Sequence, residues 1–330
     1  MSTPAPATSD RPIFVIGCPR SGTTLLTLML SSHSRLAIPP ETRFLLPVFR
    51  RRRSFGDLTV KPNRRRLARA VVRRHGTKFG HLGLDAERVK KEVIRGAPTL
   101  GSALAAPYRL YAADRGKPRW GDKRPGYFRN VGVIRELFPD AQVVHLVRDP
   151  RDCVASLKRM SWWRHGTVGA VATWVHAVDL ARAARRRLPA DAFHELRYED
   201  LVADPRHELQ RLCSFLGEEF EEAMLDHQGE AARLPERQRD AWHRETQNEV
   251  GTQRVGTYAG VLTPEEVALV ERVAGSRMRR LGYAVADRPS VPPAQLLRYA
   301  KKIAQLRLRT AVNTRRDARL AKPPGSVAYR

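Results

Sequence analysis

Cysteine is scarce in this chain: Cys18, Cys153 and Cys213 are its three, in 330 residues, and none belongs to a Cys-x-x-Cys pair. That excludes a disulfide-stapled scaffold and a thiolate metal site, and it predicts a reducing compartment. The 10 histidines show no metal-ligand spacing either, so no metal is expected. No apolar run approaches the roughly 18 residues needed to span a bilayer. The first ten residues lack the basic start and apolar stretch of a signal peptide. The expectation is a cytoplasmic protein, with peripheral contact at the inner membrane surface left open. Acids are few, 34 Asp+Glu against 60 Lys+Arg, for a formal net charge of +26. Lysine supplies only 10 of those cations, an arginine bias attributed to GC-rich coding rather than to a ligand.

What is present is a globular sequence with regional basicity. Hydrophobic residues make up 42%, enough for a buried core and too many for a disordered polycation. Residues 50–78 hold twelve Lys/Arg against Asp57, and residues 291–330 hold ten against Asp317, which leaves +6 for the rest of the chain. Ile13 to Ile16 and Val143 to Val147 are short, largely apolar runs, as expected of buried strands of a parallel sheet, and Phe193 to Leu196 is a plausible third strand. Between them lie helical patterns: Thr23 to Leu30, much of 45–115 with breaks at Pro62, Gly76 and Pro98, Val131 to Phe138, a helix from Pro150, and Pro205 to Leu216 ended by Gly217. Thr263-Pro-Glu-Glu has the capping residue, first-turn proline and early acids of a helix start. Alternating strands and helices predict an α/β fold, three-layered, with a largely parallel sheet.

Two stretches carry chemistry. Gly17-Cys18-Pro19-Arg20-Ser21-Gly22-Thr23-Thr24 stands between a predicted strand and a predicted helix, where backbone amides favour an anion. Its Gly-x-x-x-x-Gly spacing matches the nucleotide P-loop, but Thr23 stands where a phosphoryl-transfer site requires lysine. The loop suits a phosphate-like group without phosphoryl transfer. The second stretch, Val147-Arg148-Asp149-Pro150-Arg151-Asp152-Cys153-Val154-Ala155-Ser156, puts Arg148 at the C-terminal end of a strand, where open α/β sheets bind ligands. Ser156 lies on the following helix and can face back toward Arg148, a pair suited to a second phosphate.

Together these stretches resemble the sulfotransferases that use 3′-phosphoadenosine 5′-phosphosulfate (PAPS), with a P-loop-like fold. The resemblance implies that Arg20, Ser21, Gly22, Thr23 and Thr24 hold the 5′-phosphosulfate and that Arg148 and Ser156 hold the 3′-phosphate. Asp122-Lys123-x-Pro125, Tyr198-Glu199-Asp200-Leu201 and Gly282-Tyr283 follow in the family's order. By the same resemblance Lys123 contacts the leaving-group oxygens, Tyr198 lies near the nucleotide, and Arg254 in Gln253-Arg254-Val255-Gly256 contacts the 3′-phosphate. Glu41, in Glu41-Thr42-Arg43, matches the base of the tyrosylprotein branch and related bacterial enzymes. The cytosolic branch uses a histidine further on, and His75 or His81 is the alternative there. Arg43 would orient acceptor or donor, and Trp162 and Trp163 could line an acceptor cleft.

The implied organisation is a tail over 1–11, a catalytic domain over 12–288 with a helical acceptor-side region at 45–118, and a basic extension over 289–330. Within that extension Ala294 to Arg309 interleaves apolar and cationic residues, which suits an anionic membrane surface and equally docking on the enzyme or on a partner chain. The implied activity moves a sulfuryl group from PAPS to a hydroxyl, less readily an amine, of a small molecule, carbohydrate or lipid. Two rivals come from other classes. A P-loop kinase or NTPase is disfavoured by Thr23, and a specific nucleic-acid binder by the absence of any helix-turn-helix, zinc or RNP signature beside the charge.

Overall fold

Ile13–Gly17 (β1) is buried at every position, and its side chains alternate between two apolar layers: Phe14 and Ile16 on one face, Ile13 and Val15 on the other. The computed structural model describes residues 9–73, 75–232, 250–287 and 289–319. Residues 1–8 of the expected tail and 320–330 of the expected extension lie outside the described residues. β1 is the middle strand of a five-stranded sheet of order β2-β3-β1-β4-β5, with β2 at Leu36–Ala37, β3 at Arg119–Lys123, β4 at Gln142–Val147 and β5 at Phe193–Arg197. Every pairing is parallel, with Ile13 opposite Gly121 on one side and Gln142 on the other. Helices cover both faces, as parallel sheets require.

One face carries α1 (Thr23–Ser32), α9 (Tyr198–Ala203), α10 (Pro205–Leu216) and the short α11 (Gln228–Ala232). The other carries the larger core. It is built from α2 (Leu45–Arg50), α3 (Lys61–Val71), α4 (Ala86–Arg95), α5 (Leu100–Ala113), α6 (Val131–Leu137), α7 (Pro150–Lys158), α8 (Gly166–Arg185), α12 (Pro264–Arg280) and α13 (Pro293–Arg319). Start signals read from the sequence have clear physical causes. Asp149 caps α7 ahead of Pro150, and Thr263 with Glu266 forms a reciprocal capping box on α12.

The chain departs from the sequence reading at β2 and β3, which the apolar pattern does not single out. β3 reads Arg-Trp-Gly-Asp-Lys yet is buried throughout, because each charge has somewhere to go. Arg119 donates to the carbonyls of Arg11 and Leu216 and to Glu218 Oε1 at 2.8 Å, and Asp122 accepts from two tyrosines. Gly121 is needed for close approach: a Cβ there would stand 2.7 Å from the Ile13 carbonyl oxygen. The order of strands sends the chain to opposite sides of β1, so the loops after β1 and β4 open at the same edge of the sheet.

Candidate functional site

The β1–α1 loop is held in a conformation that most side chains avoid. Arg20 has φ 72° and Gly22 φ 93°, both left-handed, and no side chain caps α1. Its first-turn amides are therefore left to other partners. Gly22 is obligatory for a second reason: a Cβ there would lie 2.4 Å from the Tyr198 ring. Ser21 is fully buried, and its Oγ has no hydrogen-bond partner among the described residues.

The loop meets the second motif directly. Arg20 Nε donates to Ser156 Oγ at 2.9 Å, joining the two stretches that the sequence reading assigns to different phosphates. The Arg148 guanidinium stacks over Tyr198, 4.3 Å from its centroid, so one ring packs against both Gly22 and Arg148. Arg148 also donates to the Arg254 carbonyl, while its buried Nε has no partner among the described residues. Asp152 secures the late segment by accepting from the amides of Gly256 and Tyr258, each at 2.9 Å. Glu199 pins the turn from below, accepting from the Asp149 amide and the Tyr283 hydroxyl, both at 2.8 Å. Cys18 and Cys153 fill the space between the two stretches, and burial pushes the Cys153 thiol well up, so it stays protonated.

The proposed base stands across from this anion site. Burial by itself would raise the Glu41 carboxyl, but Lys123, Lys78 and Arg43 outweigh it and hold Glu41 below the usual carboxylate range. Arg43 Nε lies 3.2 Å from Glu41 Oε1. Lys123, at the end of β3, reaches Thr24 Oγ1 at 3.4 Å and interacts electrostatically with Glu41, so it links the β1–α1 loop to that carboxylate. Lys123 makes no ion pair with its neighbour Asp122 among the described residues. Asp122 turns the other way, taking hydrogen bonds from Tyr108 and Tyr127 at 2.8 and 2.7 Å, and burial lifts its pKa to about 6. Tyr108 in turn meets Thr42 Oγ1 at 2.8 Å, so a buried polar chain fixes the backbone beneath Glu41.

A second support comes from residues 77–81, where the sequence reading assigns only His81. The Arg43 amide donates to the Thr77 carbonyl at 2.6 Å, and His81 hydrogen-bonds the Glu41 backbone. Lys78 sits between them with a left-handed φ of 55°. Its strain and its nearness to Glu41 are the signals a structure adds; a lone lysine in an arginine-rich stretch carries none. Exposed His75 is not drawn into this arrangement. Trp162 is exposed in the turn before α8, and Trp163 is only partly buried, with its Nε1 on the Gly166 carbonyl. Among the described residues no cluster of His, Cys, Asp and Glu could hold a metal ion.

Residues 12–222 match the model of one family, described as the Sulfotransferase family. Among curated proteins, the protein-tyrosine sulfotransferase of Drosophila melanogaster is 27% identical over 227 residues, covering 66% of this chain and 40% of the fly protein. The omega-hydroxy-beta-dihydromenaquinone-9 sulfotransferase Stf3 of Mycobacterium bovis is 31% identical over 186 residues, 53% of this chain and 43% of that one. The chain thus spans less than half the length of these relatives. Among solved structures, the sulfotransferase domain of the Synechococcus PCC 7002 olefin synthase superposes with a TM-score of 0.57 at 23% identity, over 86% of this chain and 99% of that domain. That likeness is one of fold.

Proposed function

The chain belongs to the sulfotransferase family, and from that premise we propose that it transfers a sulfuryl group from PAPS to an acceptor hydroxyl, with Glu41 as general base. The observation that carries this reading is the meeting of the two anion-binding stretches around Tyr198, each with a buried polar atom lacking a partner among the described residues, Ser21 Oγ and Arg148 Nε. A buried unpaired donor or acceptor is costly, and a ligand carrying two separated phosphate groups would satisfy both. Arg20, Ser21, Gly22, Thr23 and Thr24 would hold the 5′-phosphosulfate, and Arg148, Ser156 and the Arg254 segment the 3′-phosphate.

Glu41 accepts the acceptor's proton as the new oxygen–sulfur bond forms. Lys123 offsets the charge that collects on the departing phosphate oxygen when the old sulfur–oxygen bond breaks, leaving 3′-phosphoadenosine 5′-phosphate. A base kept ionised among cations is suited to this task, because it needs no proton loss before it acts. The fly and mycobacterial relatives are named for a protein tyrosine and an omega-hydroxy-beta-dihydromenaquinone-9 acceptor, which supports a hydroxyl as the nucleophile here. The test separates chemistry from binding. Glu41→Gln should lower turnover by a factor on the order of 10²–10⁴ while calorimetry finds 3′-phosphoadenosine 5′-phosphate bound as in the wild type. Wild-type turnover in that variant removes Glu41 from its role, and Mg-ATP preferred over 3′-phosphoadenosine 5′-phosphate removes the donor assignment.

A further inference from the structure

α13 is amphipathic in two directions. One face, carrying Tyr299, Ile303, Leu306, Thr310 and Asp317, is packed on the protein: Ile303 is buried, Thr310 Oγ1 lies 2.9 Å from His176 Nε2, and Asp317 receives Arg50 at 3.3 Å. Arg307 joins Arg277 of α12 on the Asp179 carboxylate, so the helix is fixed in place along its length. The opposite face is what remains in solvent. Leu297, Leu308 and Val312 are 56%, 65% and 54% exposed, and steps of three and four residues set them in one stripe with Lys301, Ala304 and Arg315. Exposed Arg298, Arg309 and Arg316 flank the stripe, and no acid interrupts it.

We propose that this outer face of α13 docks the protein on an anionic lipid bilayer surface. Apolar side chains flanked by cations, on a helix too polar to insert, match the chemistry of a negatively charged interface. No helix among the described residues is long and apolar enough to cross a membrane, so the contact is peripheral. The placement suits the transfer site. The last turns of α13 rest on Arg50 and Arg52, in and just after the helix that begins four residues beyond Glu41. Burial lowers the pKa of Arg129, which lies near Cys18 of the anion loop, and Arg309 of α13 is close enough to add to that lowering. Trp162 is exposed at the entry to α8, whose first turns lie against Lys302.

The surface stands independently of the transfer chemistry, and the experiment keeps the two apart. Full-length chain is sedimented with vesicles of mixed phosphatidylglycerol and phosphatidylcholine, and with pure phosphatidylcholine. Binding is expected only with the anionic vesicles, weakening as salt is raised. Leu308→Glu with Val312→Glu should weaken it by a factor on the order of ten or more, since two apolar side chains are withdrawn from the interface. Val60→Glu, an exposed apolar residue at the start of α3, should leave it within about twofold, the smaller effect of one surface charge. Both variants should melt as the wild type does and bind 3′-phosphoadenosine 5′-phosphate unchanged. Undiminished vesicle binding by the double variant overturns the proposal. So does tighter binding to duplex DNA than to the vesicles, or a dimer in solution that the double variant dissolves.

Discussion

Glu41 is set by its neighbours more than by its own burial, and that has a measurable direction. With Lys123, Lys78 and Arg43 holding its pKa below the ordinary 4.5, the acidic limb of kcat/KM for the free enzyme should lie below that value. Lys78→Met removes one cation, so the limb should move to higher pH; an unmoved profile would mean that Lys78 does not act on Glu41. Asp122 has the opposite sign. Its folded pKa is raised from 3.8 to about 6, so the stability linked to it is greatest below pH 3.8 and is lost as pH rises through about 6. Asp122→Asn should flatten the fall in Tm across that window relative to wild type. At Gly22, an alanine incurs about 1–2 kcal/mol for the left-handed backbone and must also displace the Tyr198 ring, so Gly22→Ala should lose donor affinity by calorimetry. Arg20, Gly22 and Arg148 are legible in the sequence because they sit at strand ends in recognisable runs. Lys78, Thr42, Tyr108 and the Glu41-facing role of His81 are not, since only the folded path of 77–81 and the α5 face bring them beneath the base.

At the scale of elements, the sequence pattern finds three of the five strands and misses the shortest and the most charged. β1 and β4 lie where buried apolar runs place them, β5 lies at the third expected strand, and Pro205–Leu216 ends at Gly217 with the left-handed cap expected of glycine there. β3 escapes because three of its five residues are charged, and a period-based reading counts charge as exposure. Its burial depends on Glu218, Gln142, Tyr108 and Tyr127, residues outside the strand that satisfy those charges. β2, only two residues long, offers too little pattern to see. β3 should be correspondingly intolerant at Gly121. Gly121→Ala forces a Cβ against the Ile13 backbone, and urea denaturation should find a loss of about 1–3 kcal/mol, the usual range for overpacking.

For the molecule as a whole, charge divides into used and unused. The proposed transfer site draws on Arg20, Lys123, Arg148 and the cations around Glu41, while α3 and the outer face of α13 carry a surplus that the proposed chemistry does not require. The fold also spreads the site across the chain. Arg20 reaches Ser156 over 136 positions, and Arg148 reaches the Arg254 carbonyl over 106. Contacts of such separation are as non-local as the pairing of the central strands, and non-local pairing is slow. Competence to bind the nucleotide should therefore appear with the slowest refolding phase, and a chain cut before residue 250 should never acquire it. For the same reason the proposed nucleotide would recognise only the finished molecule. By mass action, 3′-phosphoadenosine 5′-phosphate at about a hundredfold its Kd should add roughly 2.7 kcal/mol to unfolding, so that in the cell the supply of nucleotide would also set how long the enzyme survives.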